Sequence, residues 1–327
     1  MKTPVVLFIF KRKHTLARIM ERIAQAAPET FYIISDQGRN EEEKALVLEC
    51  RALVESLVTW NCEVVKDYAN ENRGVYAQIG LGAERVFARE ETAIFLEDDN
   101  LPDQTFFPYC EEMLDRYAED ERVLWVCGTN YLGKFRHDNG FYLSHHLTPC
   151  GWASWATKYS FYYDKNLSIT DKDGWKKVVK SHYSDVRLYR QQLRDILAER
   201  TRRDEGERYR SWDFHMNLSI RYNNLYSVVP SVNLIENIGV DEFGTHGTPS
   251  QGDELTDIMT QRFCGVPTQP LSFPLDAVDS GSFDQEFEHE VGNVILYPAK
   301  YRVPMQFKSA IKSILGVKPG KSFRCLA

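Results

Sequence analysis

The sequence predicts an α/β fold in which helices cover both faces of a Rossmann-like, mostly parallel β-sheet. Short apolar runs alternate with longer segments in which apolar residues recur every three or four positions. The first run, Val5–Phe10, is continuously apolar, which is typical of a parallel strand that is buried on both faces. Regular alternation of the two patterns favours a parallel sheet, because parallel strands need a crossover connection that is usually a helix.

The alternation continues through the first 127 residues. After the first strand, His14–Ala27 has helical spacing, with Leu16, Ile19 and Ile23 on one face. The further predicted strands are Phe31–Ser35, Cys62–Tyr68, Ala93–Leu96 and Val123–Cys127. The further predicted helices of this part are Glu41–Leu57, Val75–Arg89 and Phe106–Tyr117.

The pattern becomes irregular after residue 130 and then turns helical. Helical spacing returns in three segments, Asp171–Lys180, Ser184–Glu199 and Trp212–Tyr222. Thr201–Arg210 is rich in charge and poor in apolar residues, which predicts a mobile loop. We therefore divide the chain into a Rossmann-like half (1–130), a second half (131–249), an irregular segment (250–295) and a basic tail (296–327).

Charge excludes one class of partner and suggests another. The formal net charge is −7, so the chain has no positive excess for a nucleic-acid backbone. Residues 296–327 nevertheless carry seven basic residues and no acid, and the remainder carries a formal −14. Such a tail is typical of peripheral contact with an anionic membrane surface, although a solvated terminus has the same composition.

The cysteines and the N-terminus indicate the compartment. The seven cysteines show no paired spacing, which favours a reducing environment. The apolar run Val5–Phe10 ends at Lys11 and is too short for a signal peptide or a membrane span. We predict a cytoplasmic protein, with the tail as a possible contact to the inner face of the membrane.

Polar residues follow the predicted strands at the edge where parallel sheets bind ligands. Lys11 and Arg12 follow the first strand, Asp36 follows the second, and Glu97-Asp98-Asp99 follows the fourth. The first turn lacks the glycine-rich pattern of dinucleotide-binding and P-loop proteins. A divalent cation held by carboxylates would then have to neutralise a bound diphosphate. The alternative is a solvated loop or a helix N-cap.

These motifs resemble those of GT-A glycosyltransferases, most closely the N-acetylglucosaminyltransferase I family. The acidic motif in Phe95–Asp99, before Phe106-Phe107, carries the resemblance together with Phe10–Thr15 and Ile34–Glu42. Bacterial surface-polysaccharide glycosyltransferases are similar in Asn237-Ile238-Gly239 and the following Thr-His pair. The resemblance covers about residues 4 to 247 and implies a GT-A fold that uses a UDP-sugar donor, with residues 131–249 binding the acceptor.

The resemblance also implies roles for individual acids. Asp99 would coordinate Mn²⁺ or Mg²⁺, Asp98 would face the ribose hydroxyls, and Glu97 would face the sugar or the ribose. Asp36 would accept a hydrogen bond from the uracil N3–H, and Arg12 would pack near the base or ribose. Either of these last two residues could instead be an ordinary exposed charge.

The second half supplies the remaining candidates. Asp213, after Trp212, would be the general base of an inverting transfer to a glycan or lipid-linked acceptor; the alternative is that it caps the next helix. Trp152 and Trp212 are candidate substrate-binding residues, because aromatic faces suit sugar C–H groups. His246, between glycines, is a candidate metal or diphosphate ligand. A retaining transferase, a nucleotidyltransferase and a non-catalytic glycan-binding protein stay open as alternatives.

Overall fold

The computed structural model describes residues 1–240, 254–275 and 283–321. Within them the chain forms a mixed eight-stranded sheet with helices on both faces, as the sequence predicts. The strands are β1 (Val5–Ile9), β2 (Thr30–Ser35), β3 (Glu63–Tyr68), β4 (Thr92–Glu97), β5 (Asn100–Pro102), β6 (Val123–Cys127), β7 (Phe141–Ser144), β8 (Trp152–Trp155), β9 (Tyr226–Pro230) and β10 (Ile235–Asn237). The short strands β5 and β10 pair separately with each other.

The strand order in the sheet is β3-β2-β1-β4-β8-β6-β9-β7. The first four strands are parallel, and so is the β6–β9 pair. β8 is antiparallel to both of its neighbours, β4 and β6, and β7 is antiparallel to β9. Because β8 lies between β4 and β6, the strands before residue 130 and those after it belong to one sheet, and the expected boundary at residue 130 falls within it.

The helices fill the connections. They are α1 (Lys13–Ala26), α2 (Glu41–Ser56), α3 (Leu81–Phe87), α4 (Phe106–Arg116), α5 (Ala156–Tyr162), α6 (Trp175–Ser181), α7 (Val186–Asp204), α8 (Asp213–Asn223), α9 (Glu254–Cys264), α10 (Gln285–Ile295) and α11 (Ala299–Ile314). A π-helical turn, Tyr76–Gly80, precedes α3 directly. No helix in the described ranges is long and apolar enough to cross a bilayer.

The alternation of side chains along β1 divides the core into two layers. Val5, Leu7 and Ile9 pack into a layer with residues of α1, α2 and α4. Val6 and Phe8 point to the opposite face, into a layer with residues of α3, α5, α8 and α10. Both faces of the central strands are therefore buried, which is why their sequences are apolar without interruption.

Four expectations about the chain need correction. The predicted helix Val75–Arg89 is a π-helical turn followed by α3. The sequence did not reveal β7 and β8, which are four-residue strands in the aromatic region after residue 130. The segment 250–295, expected to be irregular, contains α9 and α10. The first four of the ten residues of the predicted mobile loop are the end of α7, where Arg203 pairs with Asp171 at 2.7 Å.

Candidate functional site

A pocket opens where β1 and β4 end. This is the point at which the strand order reverses, because β1 is followed in the sheet by β2 on one side and by β4 on the other. Its lining comes from the ends of β1, β2 and β4 and from the π-helical turn. The lining residues include Phe10, Lys11, Arg12, Asp36, Arg39, Asn72, Gly74, Gln78, Glu97 and Asp98.

Arg12 joins two of the three consecutive acids. Its Nη1 lies 2.9 Å from Oδ1 of Asp98 and 3.0 Å from Oδ2 of Asp99. The other oxygen of Asp98 accepts a hydrogen bond from the backbone N–H of Phe10 at 2.8 Å. Asp98 thus ties the end of β1 to the end of β4, and the motif has a structural function in addition to any ligand contact.

The segment after β10 closes over Asp99. The backbone N–H of Ile238 donates to the carbonyl oxygen of Asp99 at 2.8 Å. A Cβ on Gly239 would lie 2.5 Å from the Cβ of Asp99, closer than two such atoms can approach. Glycine is therefore required there by the close approach of the backbone. The structure brings together two motifs, Asn237–Gly239 and the acidic triplet, that are more than a hundred residues apart.

Burial and mutual repulsion raise the pKa values of Glu97 and Asp99. Burial and the charges of Asp99 and Asp98 raise the pKa of Glu97 well above its usual range, and Arg12 opposes this shift. Burial raises the pKa of Asp99 to about 6, again against the effect of Arg12. The charge of Asp213, a residue of the second half of the chain, also raises the pKa of Glu97.

The side chains of the site fit a divalent cation only if a bound substrate supplies further ligands. In the described ranges, no group of three or more histidine, cysteine, aspartate or glutamate side chains converges to hold a metal ion. Mg²⁺ and similar cations, however, often bind through one or two carboxylates plus the phosphates of a substrate. Asp99, with its excess of neighbouring negative charge, fits that arrangement.

Asp36 organises the loop beside the pocket. Its carboxylate accepts hydrogen bonds from the backbone N–H groups of Gln37 at 2.8 Å, Arg73 at 2.7 Å and Gly74 at 3.0 Å, and from the side chain of Asn72 at 3.1 Å. Two carboxylate oxygens offer about four lone-pair sites. The protein therefore already uses the acceptor capacity that would be needed for a uracil N3–H.

The buried Arg51, which the sequence analysis did not single out, fixes the same strand ends. Its guanidinium donates to the hydroxyl of Ser35 at 2.8 Å and to the carbonyl oxygens of Asp36 and Ala69 at 3.1 and 3.0 Å. The ring of Tyr68 lies 4.6 Å from the Arg51 guanidinium. Arg51 thus holds the ends of β2 and β3 together beneath the loop that carries Asp36.

Gln78 is a second residue that the sequence analysis missed. It lies in the π-helical turn and lines the pocket with only 5% of its surface exposed. Its Oε1 and Nε2 are both buried, and neither has a hydrogen-bond partner in the part of the chain that the structure describes. Unsatisfied buried amides are rare because they are costly, and π-helical turns occur frequently at functional sites.

Asp213 begins α8 and is half-buried. The hydroxyl of Ser211 accepts a hydrogen bond from the backbone N–H of Phe214 at 3.2 Å and donates to the carboxylate of Asp213. The hydroxyl of Ser211, and not the carboxylate of Asp213, therefore accepts from a backbone N–H in the first turn of α8. The carboxylate of Asp213 interacts electrostatically with Glu97 in the pocket.

The two tryptophans expected at the substrate lie in the core. Trp152 is 1% exposed, and its ring stacks between Phe95 at 3.9 Å and Trp125 at 4.0 Å. Trp212 is buried against Trp152, with ring centroids 5.6 Å apart. Neither ring is among the pocket's lining residues, because the hydrophobic layer between β8 and α8 takes both. His246, the remaining candidate ligand, lies outside the described residues.

No protein-family model and no curated protein sequence matches this chain. Among solved structures, 4-diphosphocytidyl-2C-methyl-D-erythritol synthase from Anaerococcus prevotii is 8% identical over 53% of this chain and 85% of its own, with a TM-score of 0.31. UDP-glucose pyrophosphorylase is similar in its apo form, at 7% identity over 73% of this chain and 94% of its own (TM-score 0.35). Its complex with UDP-glucose is 10% identical over 68% and 99% (TM-score 0.28). Similarity at these scores carries no argument about activity.

Proposed function

We propose that this protein is a metal-dependent glycosyltransferase that transfers a sugar from a UDP-sugar to a glycan or lipid-linked oligosaccharide at the cytoplasmic face of a membrane. One observation carries the proposal. At the reversal point of the strand order, one pocket is lined by Glu97, whose pKa is raised by burial and by neighbouring acids, and by Gln78, whose buried amide has no hydrogen-bond partner among the described residues. The carboxylates would share a cation with a bound diphosphate, and the amide would form hydrogen bonds with a nucleobase.

The amide of Gln78 has the donor and acceptor that uracil requires. Its Oε1 can accept from the uracil N3–H while its Nε2 donates to a neighbouring carbonyl oxygen of the base. Because the carboxylate of Asp36 is occupied by four protein donors, Gln78 takes the role that the resemblance gave to Asp36. Asp36 then acts indirectly, by shaping the loop next to the base.

The acids and Arg12 serve the diphosphate and the sugar. A bound cation would supply charge neutralisation to the departing diphosphate, and Asp99 is the residue that would hold it. Arg12, which pairs with Asp98 and Asp99, would donate hydrogen bonds to a phosphate oxygen of the diphosphate. Asp213 would accept the proton of the acceptor hydroxyl as that oxygen attacks the anomeric carbon and UDP leaves.

Ligand-dependent thermal stability tests the site. We expect UDP with Mn²⁺ to raise the melting temperature, while UDP with EDTA, GDP or CMP raises it less. A ligand at about a hundred times its dissociation constant adds about 2.7 kcal/mol. Asp99→Asn should lose the metal-dependent part. Asp138→Asn is the matched control, because this carboxylate is exposed and pairs with Lys134 rather than with Arg12 or the other acids of the triplet. No shift with any nucleotide would favour a non-catalytic protein.

Product analysis then tests the reaction. A glycosyltransferase releases UDP from a UDP-sugar, whereas a nucleotidyltransferase releases pyrophosphate when it is given UTP and a sugar 1-phosphate. The anomeric configuration of the transferred sugar distinguishes inversion, which Asp213 as base requires, from retention. Pyrophosphate release without sugar transfer would refute the proposal in favour of nucleotidyl transfer.

A further inference from the structure

Helix α11 has an apolar face that no other element of the described residues covers. Its residues Val303, Phe307, Ile311 and Ile314 lie at helical spacing, and each has between 42% and 84% of its surface exposed. Leu315, directly after the helix, extends the same face with 51% exposed. Single exposed apolar side chains are common on protein surfaces, but a contiguous stripe of five is not. We refer to these five side chains as the α11 stripe.

Positive charge surrounds the α11 stripe. Lys308 and Lys312 lie beside it on the helix, and residues 296–327 contain no acidic residue. The other 295 residues have a formal charge of −14. An anionic surface would therefore attract this end of the molecule and repel the rest of it. This distribution gives the molecule a preferred orientation on such a surface.

Ion pairs fix the position of α11 on the body of the protein. Lys300, in its first turn, pairs with Glu254 of α9 at 2.6 Å. After the helix, Lys318 and Lys321 pair with Glu205 at 3.1 and 2.5 Å. Exposed ion pairs of this kind add little stability individually, but together they define the orientation of the helix. The α11 stripe is consequently held outward.

A groove of about 520 Å³ runs between α7 and α11 beside the stripe. Leu193, Leu197 and Phe307 give it apolar walls, and Arg190 and Arg302 are cationic residues of its lining. A third arginine of the lining, Arg194, pairs with Asp195 at 3.0 Å. The Nε of Arg302 is buried, and it has no hydrogen-bond partner in the described part of the chain. A cationic groove with apolar walls suits a phosphate headgroup together with the beginning of its acyl chain.

We propose that the α11 stripe and this groove form a docking surface for an anionic lipid bilayer. The stripe enters the interface between headgroups and acyl chains, and the lysines and the arginines of the groove meet lipid phosphates. A second copy of the chain is a poorer occupant, because a two-fold contact through the stripe would bring two sets of flanking lysines together. The proposal does not depend on the pocket at the sheet edge or on the reaction proposed for it.

Vesicle sedimentation of the full chain tests this surface. We expect binding to vesicles of phosphatidylcholine with about 30% phosphatidylglycerol, weaker binding to phosphatidylcholine alone, and loss of most binding at about 0.5 M salt. The double variant Phe307→Glu, Ile311→Glu should reduce binding by about tenfold or more. Phe161→Glu is the matched control, because Phe161 is 80% exposed on α5 and should be dispensable for binding.

Arg302→Gln separates the groove from the stripe. It should weaken binding to the anionic vesicles and leave the weak binding to phosphatidylcholine unchanged. Equal binding by the double variant and the unmodified chain would overturn the proposal. The proposal would also be overturned if the unmodified chain is a dimer by light scattering, the double variant is a monomer, and neither binds vesicles. A second copy of the chain would then be the occupant of the stripe.

Discussion

Replacing Gln78 with methionine should make the ligand-free protein more stable and a weaker binder of UDP. The two side chains have similar length and volume, so the packing of the π-helical turn should change little. In the ligand-free protein, the buried Oε1 and Nε2 have no hydrogen-bond partner among the described residues. A buried polar group left in this state costs about 1 to 3 kcal/mol. Removing the amide therefore removes a cost of that size.

The same substitution removes two hydrogen bonds to the proposed base. We expect a loss of about 1 to 3 kcal/mol of binding free energy, which is roughly 5-fold to 150-fold in the dissociation constant of UDP. Thermal melting without ligand should rise by a few degrees, since about 1 kcal/mol corresponds to about 2 to 4 °C in a domain of this size class. Urea unfolding and calorimetric titration with UDP and Mn²⁺ measure the two effects separately.

Gln191→Met is the matched control for this experiment. Gln191 is also buried, but its Nε2 donates to the carbonyl oxygen of Ile295 at 3.0 Å and its Oε1 accepts from the N–H of Tyr297 at 2.9 Å. Its replacement should destabilise the protein by about 1 to 3 kcal/mol and leave UDP binding unchanged. If Gln78→Met instead destabilises the protein and binds UDP normally, the amide has a structural role and the reasoning is refuted.

Three further predictions concern the acids, the segment over them and a buried histidine. Asp213→Asn should keep the UDP-dependent rise in melting temperature but lower UDP release by at least about 100-fold; unchanged turnover would exclude it as the base. Gly239→Ala puts a Cβ 2.5 Å from that of Asp99 and should weaken metal-dependent UDP binding by calorimetry; normal affinity would show that the segment moves freely. Burial lowers the pKa of His215 from 6.5 to about 4. As the pH falls from 6.5 to 4, the unfolded chain therefore takes up this proton before the folded protein does. The free energy of unfolding, measured with urea, should decrease by up to about 3 kcal/mol over this range, and by less in His215→Asn.

The regular part of the fold could be predicted because β1, β2, β4 and β6 are buried and read as nearly continuous apolar runs. The edge strand β3 is more polar and more exposed, and it was predicted from the alternation of strands and helices. The carboxyl ends of parallel strands meet at one edge of a sheet. The sequence therefore predicted that Arg12 and Asp36 lie in the same pocket as Glu97 and Asp98. The strands β7 and β8 have four residues each, too few for a pattern to stand out among aromatic neighbours.

The remaining errors have a common physical origin. Trp152 and Trp212 were expected at the substrate because aromatic rings suit sugars. Their positions depend instead on packing between β8 and α8, which no short motif encodes. Gln78 was missed because a single glutamine in a helical pattern has no signature. Its significance lies in burial without a partner, which only the three-dimensional arrangement reveals. The basic charge of residues 296–327 was visible in the sequence, because composition is a local property, whereas the exposure of the apolar face of α11 required the structure.

The antiparallel insertion of β8 between β4 and β6 has a consequence for how the protein can be dissected. The strand belongs to residues 131–249, whereas both of its hydrogen-bonded neighbours, β4 and β6, belong to residues 1–130. Expression of residues 1–130 alone would leave β4 with an open edge, a template for aggregation. A fragment that keeps both edges of β4 paired must therefore extend through β8.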